Sequence, residues 1–270
     1  MNTTPTREAS RHPYPPRLRT LSVISSEPLS PTMRRFVFAG GELEPEFPFV
    51  PLATGMHVKV VVPQEDTGRL EMPTLGEHGL IAPEGARLAI RDYSVRGFDA
   101  ETRLLTIDFV LHDHGPAGRW AIGARNGSRL GILGPRGYTI YPNGFERYVL
   151  GADETALPAL ERWIEETPAG ARIDAFVAGP AESRRPLPSH PKLSLHWIAG
   201  TGSTPLVDAL TAAAPAGDGR TYLWAAGEAG IVAPLRRHLQ GAGFARTEFD
   251  VSGYWRLGLA GSGEHAEERA

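Results

Sequence analysis

Apolar and polar side chains alternate through the first half of the chain. In His57-Val58-Lys59-Val60-Val61-Val62, an extended backbone puts Val58, Val60 and Val62 on one face and His57 and Lys59 on the other. Residues 104–111 repeat the pattern, with Leu105, Ile107, Phe109 and Leu111 together. Further short strands are predicted at 18–25, 33–38, 88–94 and 129–133, separated by Gly and Pro. Half a dozen such strands predict an antiparallel β-barrel. A Pro-rich loop covers 44–51, and 64–84 reads as a long loop or a variable hairpin.

The period changes after Gly134-Pro135-Arg136-Gly137. Residues 155–167 place Leu157, Leu160, Trp163 and Ile164 on one helical face, and 231–240 do the same with Val232, Leu235 and Leu239. A third helix is predicted at 205–214, with its Pro in the first turn. Strands are predicted at 147–150, 172–177, 193–198, 221–226 and 247–255. Alternating strands and helices predict a doubly wound parallel sheet. The boundary falls near Tyr141, which gives a barrel domain at 17–140 and an α/β domain at 141–260. The polar, Pro-rich residues 1–16 read as a disordered arm, and 261–270 as a flexible tail.

Composition narrows the function. With 270 residues, 41% of them hydrophobic, the chain can bury one large core or two ordinary ones. A formal net charge of -3 provides no basic field, so nucleic acid is not an expected partner. No apolar run approaches the ~20 residues of a membrane span, and the N-terminus has no apolar core of a secretory signal. There are no cysteines, which removes disulfides, thiolate clusters and Cys nucleophiles and suits a reducing cytoplasm. The nine His residues show no ligand spacing, and no metal site is expected. Redox chemistry would need a bound organic cofactor or a metal site built without Cys.

Arg91-Asp92-Tyr93-Ser94 supplies candidate chemistry for one. At about 3.3 Å per residue, Arg91 and Tyr93 lie roughly 6–7 Å apart on one face, with Ser94 on the other. A guanidinium able to grip phosphate beside a flat ring and a hydroxyl is what a flavin nucleotide would need. Next, Asp108-Phe109-Val110-Leu111-His112 leads into Gly115-Pro116-Ala117-Gly118-Arg119-Trp120-Ala121, a strand and small-residue loop opening a short helix. Such a turn exposes N–H groups to a pyrophosphate, although taken alone it reads first as an ordinary Gly-Pro turn before a helix. Gly151-Ala152-Asp153-Glu154-Thr155-Ala156-Leu157-Pro158 follows the first α/β strand, where ligands bind in such sheets, or it is a helix cap with favourable acidic residues. Gly200-Thr201-Gly202-Ser203-Thr204-Pro205 rivals it by spacing, but the earlier loop adjoins the barrel and is preferred. Trp224-Ala225-Ala226-Gly227-Glu228 and Ser252-Gly253-Tyr254-Trp255-Arg256 are further strand ends with small residues or aromatics.

In this order, across roughly residues 17–258, these segments resemble the siderophore-interacting protein family. The matching residues are His57-Val58-Lys59, Arg91-x-Tyr93-Ser94, Asp108 to His112, Gly115-Pro116-Ala117, Trp120-Ala121, Asp153 to Pro158, Trp224-x-Ala226-Gly227-Glu228, Leu235 to Leu239, and Gly253 to Arg256. The resemblance implies a ferredoxin-reductase-like flavoprotein with FAD in the barrel and an NAD(P)H-binding-like α/β domain. It further implies that electrons pass from NADPH or NADH through FAD to the Fe(III) of a siderophore. Arg91 would hold the FAD phosphates, Tyr93 would stack on the isoalloxazine and Ser94 would lie near its reactive nitrogen. Cofactor contacts are also expected at Asp108, Val110, His112, Gly115, Pro116, Ala117, Gly118, Trp120, Asp153, Thr155, Ala156 and Trp255. The family usually has Ser where Gly118 stands, so a hydroxyl contact is missing while the backbone donor survives. Arg184 and Arg185 are expected to read a 2′-phosphate, and Gly227 and Glu228 are expected to contact the same NAD(P)H donor. Lys59, Arg136 and Arg256 are expected to form a basic pocket for an anionic ferric siderophore. No catalytic acid, base or nucleophile is expected, because the residues position the flavin. The chain is expected to be monomeric and cytoplasmic, with reduced ferredoxin as another possible donor. A general NAD(P)H-flavin reductase and a flavin-free siderophore-binding module are the alternatives.

Overall fold

The computed structural model describes residues 4–77, 79–200 and 202–258; the tail expected at 261–270 lies outside them. The N-terminal half holds β1 (Ser10–Pro13), β2 (Leu18–Ser30), β3 (Met33–Ala39), β4 (His57–Val62), β5 (Thr74–Gly76), β6 (Gly79–Ile81), β7 (Ala89–Ser94), β8 (Gly97–Asp99), β9 (Leu104–Val110), β10 (Arg129–Leu133) and β11 (Gly137–Ile140). Seven of these curl into one antiparallel sheet, in the order β7-β4-β10-β2-β3-β9-β8. Its inner face is the alternating apolar set: Phe36, Phe38, Val58, Val60, Leu105, Ile107, Phe109, Leu130 and Ile132 are all buried. Helix α1 (Pro116–Gly123) packs against β4, β7 and β9 and puts Ala117 and Ala121 into that core.

The second half holds β12 (Arg147–Asp153), β13 (Arg172–Gly179), β14 (Leu193–Ala199), β15 (Thr221–Glu228) and β16 (Phe249–Trp255), all parallel, in the order β14-β13-β12-β15-β16. Helix α2 (Leu157–Glu166) covers one face, where Trp163 meets the rings of Tyr141, Tyr148, Tyr222 and Trp224. Helices α3 (Thr204–Ala213) and α4 (Val232–Gly241) cover the other through Leu206, Leu210, Leu235 and Leu239. The sheet is doubly wound, and its strand order reverses between β12 and β15. The carboxyl ends there form the crevice in which such sheets receive ligands.

The arm expected to be disordered is instead bound to both halves. Strand β1 pairs antiparallel with β11, from Ser10 opposite Ile140 to Pro13 opposite Gly137. Upstream, Thr6 donates its N–H to Asn143 Oδ1 at 2.8 Å and Arg7 donates to the carbonyl of Gly219 at 2.7 Å. A polar, Pro-rich strand gives no apolar alternation, because here the main chain does the pairing. The 64–84 segment contains the β5–β6 hairpin, and Met72 just before it packs against β10 at Gly131. A Cβ on Gly131 would fall 2.6 Å from Met72 Cε, so that glycine makes room for the thioether.

The two halves meet along α2. Arg35 of β3 forks onto Asp108 at 2.7 and 2.8 Å and reaches Glu161 of α2 at 3.2 Å. Arg96 contacts Glu161 at 2.7 Å and Glu165 at 2.5 Å, and Arg185 Nη1 pairs with Glu161 Oε1. Three guanidiniums thus face three carboxylates, which makes their burial bearable. Arg162, fully buried, donates to the carbonyls of Ala53 and Val50 at 2.7 and 2.9 Å and pairs with Glu166 at 2.7 Å.

Candidate functional site

Strand β7 lies at the edge of the barrel sheet, and its register with β4 orients the Arg91 motif. Arg91 sits opposite Val60 and Tyr93 opposite Val58, while Asp92 faces Lys59 and Ser94 faces His57. Arg91 and Tyr93 therefore share the face of the buried valines, and Ser94 takes the other. The Tyr93 ring lies on Phe109 with centroids 4.1 Å apart and planes inclined 30°. Burial raises the Tyr93 hydroxyl pKa, so the ring stays neutral and flat-sided. Arg91 donates to the carbonyl of Ile90 at 2.7 Å. Ser94 is buried and shares a hydrogen bond with Tyr254 of β16. That tyrosine's pKa is raised by burial and then by nearby Asp250.

The amino end of α1 adjoins β7. Its N-cap, Gly115, offers no side-chain acceptor, Pro116 occupies the first turn, and Arg119 bonds back to the Gly115 carbonyl at 3.0 Å. The N–H groups of Ala117 and Gly118 precede that bond and have no place in the helical ladder. His112 lies against this turn. Its pKa is lowered first by partial burial and then by the charge of His114, with Arg119 and Arg91 acting in the same direction and Asp113 opposing. The charges of Arg91, His114 and Arg119 all act on His112 beside this uncapped helix end, although Arg119 also pairs with Glu65 and His114 with Asp113. This donor set fits a diphosphate, so the residues present suit FAD.

Gly118 also explains itself here. A Cβ at this position would stand 2.7 Å from His112 Nδ1 and nearer still to the His112 carbonyl oxygen. With His112 seated in that way, Ser has no room. The hydroxyl is exchanged for a close approach of His112 to the helix.

Several expected contacts have other work. Asp108 points away from the Arg91 face: its buried carboxylate receives both arms of Arg35, with burial pushing its pKa up and Arg35 pulling it down. Val110 and Ala156 pack into the core beneath α2, and Trp120 stacks on Phe38 inside the barrel at 6.3 Å and 20°. Each belongs to the packing, because an apolar side chain beside a motif is legible as apolar but not as facing the ligand.

Asp153 caps the turn before α2. Its Oδ1 accepts from Thr155 N and Oγ1 at 2.9 and 2.6 Å, and its Oδ2 from Glu228 N and Trp255 Nε1 at 2.8 and 2.7 Å. Burial pushes the carboxyl pKa up, against the pull of these donors. All four partners are donors, so the acceptor-only carboxylate is the form that fits. A Cβ on Gly227 (φ +153°) would lie 2.6 Å from Asp153 Oδ2. Glu228 accepts from Gly230 N at 2.5 Å. Asp153, Thr155, Gly227, Glu228 and Trp255 thus close the strand-end crevice among themselves.

Of the two arginines expected to read a 2′-phosphate, Arg184 is exposed, but Arg185 is buried on Glu161, which answers its charge internally. Lys59 pairs with Asp92 at 3.0 Å, directly across the β4–β7 ladder, while Arg136 and Arg256 are exposed. The Glu161 hub was not among the residues expected from the sequence, and Tyr254 was expected only as one of the aromatics of the 252–256 strand end. Arg35, opposite in parity to Phe36, was a visible sign of a polar outer face on β3.

Two family models match the chain: the siderophore-interacting FAD-binding domain over residues 22–139, and the siderophore-interacting protein model over 145–258. An NADPH-dependent ferric-chelate reductase of Escherichia coli is 31% identical over 261 residues, covering 94% of this chain and 99% of that one. Ferric vibriobactin reductase of Vibrio cholerae is 28% identical over 257 residues, covering 92% and 93%. The crystal structure of a siderophore utilization protein from T. fusca superposes with a TM-score of 0.85 at 38% identity, covering 96% of this chain and 99% of that one.

Proposed function

We propose that this chain, which belongs to the siderophore-interacting protein family, is an FAD-dependent reductase of ferric siderophores. The observation that carries the cofactor is the uncapped amino end of α1, with His112 seated against its turn and within reach of the Arg91 charge, beside the strand that carries Tyr93. Residues 17–140 hold the flavin and 141–260 face the electron donor, NADPH or NADH, with reduced ferredoxin as a further donor. Bound FAD supplies the step between a two-electron donor and a one-electron acceptor. In the net reaction one NADPH gives a hydride, two Fe(III) each take one electron, and one proton and NADP⁺ are released. Reduced to Fe(II), the metal is held less tightly by hard oxygen ligands, and the chelate opens.

The protein's part is positioning. Arg91 and the Ala117 and Gly118 N–H groups hold the diphosphate. Tyr93, kept neutral by burial and braced by Phe109, gives the ring system a flat support. Ser94, linked to Tyr254, ties the flavin edge of the barrel to β16. Lys59, Arg136 and Arg256 supply the positive charge that draws in an anionic chelate, with Lys59 steadied by Asp92. The protein works as a monomer in the cytoplasm; among the described residues no helix is long and apolar enough to cross a membrane.

The test is Fe(II) formation from a ferric siderophore, followed with a chromogenic Fe(II) chelator under anaerobic NADPH. Two Fe(II) per NADPH are expected. No Fe(II) above the protein-free control would refute the assignment.

A further inference from the structure

We propose that this protein recognises its dihydronicotinamide donor without gripping the donor's diphosphate, because the carboxylates of Asp153 and Glu154 hold the crevice where that group would sit. The inference rests on the reductase reading above and concerns which part of the donor is read.

In a doubly wound sheet, a dinucleotide's diphosphate sits at the strand ends beside the order reversal, against the helix that follows the first strand. Here that place is the end of β12, flanked by β13 and β15. On the β15 side, the Asp153 carboxylate fills the gap and uses the Thr155 and Glu228 N–H groups that a phosphate would need. Gly227 marks how tightly: even a Cβ there would meet the carboxylate at 2.6 Å. The Trp255 indole, donating to Oδ2 at 2.7 Å, extends across the same carboxylate.

On the β13 side, Glu154 lies along Gly179, where a Cβ would be 3.2 Å from Glu154 Cγ. Its Oε1 accepts from Ser183 Oγ at 2.5 Å and, across the domain boundary, from Thr32 Oγ1 at 2.6 Å. The loop thus carries two carboxylates whose partners are neutral hydroxyls, amides and an indole. A diphosphate placed there would meet like charge and would find its backbone donors taken. Gly151, still within β12, is no phosphate cradle: its missing Cβ makes room for Leu210 of α3, whose Cγ would lie at 3.2 Å. Arg185, the nearest basic residue in sequence after β13 apart from exposed Arg184, is buried on Glu161.

Donors that lack the adenosine half should therefore serve almost as well as the whole dinucleotide, and a 2′-phosphate should earn little preference. In the test, 2′,5′-ADP is titrated calorimetrically into the FAD-loaded protein. Anaerobic flavin bleaching is then timed with NADPH, NADH and reduced nicotinamide mononucleotide. The expected results are a 2′,5′-ADP dissociation constant no tighter than about 1 mM and bleaching rate constants within about tenfold of one another. Glu154→Gln, which keeps an acceptor for Thr32 and Ser183, should tighten 2′,5′-ADP by roughly threefold or more by removing one like charge. Micromolar binding of 2′,5′-ADP to the parent would overturn the proposal, as would bleaching by NADPH but not by the mononucleotide. An unchanged constant in the Gln variant would overturn its electrostatic basis. If no dihydronicotinamide bleaches the flavin while reduced ferredoxin does, the donor assignment fails and this proposal goes with it. The ferric-siderophore reading would survive that result.

Discussion

Replacing Glu161 by Gln leaves the shape of the α2–barrel contact almost unchanged and removes one buried charge. Glu161 touches Arg35, Arg96 and Arg185, and its side chain is only 2% exposed. Two of these arginines keep another carboxylate: Arg35 retains Asp108 at 2.7 Å and Arg96 retains Glu165 at 2.5 Å. Arg185 has no second ion pair among the described residues. Its side chain is 8% exposed, its Nε has no hydrogen-bond partner among them, and beyond Glu161 it keeps Met33 Sδ at 3.5 Å and the longer-range charge of Asp108, whose carboxylate both arms of Arg35 already occupy. Breaking a buried pair so that one charge is stranded costs about 3–5 kcal/mol. Because two of the three guanidiniums stay compensated, the lower figure applies, about 3 kcal/mol. For a chain of this size that is a fall in Tm of roughly 6–12 °C. Glu161→Gln should show it by circular dichroism in the FAD-loaded protein. Removing the stranded charge as well, in Glu161→Gln/Arg185→Met, should recover at least half of the loss. If the double variant melts below the single one, the cost does not come from Arg185 and the reasoning is wrong.

Arg91→Ala should weaken FAD binding by about 10–100-fold, the loss of roughly 1.5–3 kcal/mol for a charged hydrogen bond, measured by flavin fluorescence titration. Unchanged binding would place the diphosphate elsewhere. Gly118→Ser should force His112 out of its seat and destabilise the protein by about 1–3 kcal/mol through overpacking, with weaker FAD binding; an unaltered melting curve would contradict the close contact. Because the fold lowers the His112 pKa, the unfolded chain takes up this proton first. The apo protein should therefore lose stability as pH falls from about 7 through the ordinary His range, and His112→Asn should flatten that slope in melts at several pH values. Tyr141→Phe removes the 2.7 Å hydrogen bond to Asp250 and should cost about 1–3 kcal/mol, read as a lower urea midpoint.

The elements that position the site were legible where burial is one-sided. The β4 and β9 alternation and the apolar stripe of α2 fix faces by period alone, so the sheet and helix of each half could be read directly. Strand β1 could not be read, because Ser10–Pro13 is held by main-chain pairing and carries no apolar face. The Arg91 motif was legible because a strand's two-residue period separates Arg91 and Tyr93 from Ser94, which is also how the β4 register places them. Asp108 and Arg185 were not. A charged residue in a matching segment looks the same whether it meets a ligand or an ion pair, and only Arg35 and Glu161, distant in sequence, decide between them. Asp153 shows the same limit: a strand-end acid reads as a site residue, while its Trp255 partner lies 102 residues away.

The central claim is that electrons cross this protein from a reduced donor through FAD to a ferric siderophore. Its most direct test is anaerobic. The FAD-loaded protein is reduced with NADPH, excess donor is removed, a ferric siderophore is added, and the flavin absorbance near 450 nm is followed alongside Fe(II) formation. Bleaching by the donor, full return of the oxidised spectrum on adding the siderophore, and two Fe(II) for each flavin reoxidised are the expected results. A flavin that bleaches and then stays reduced in the presence of the siderophore would contradict it.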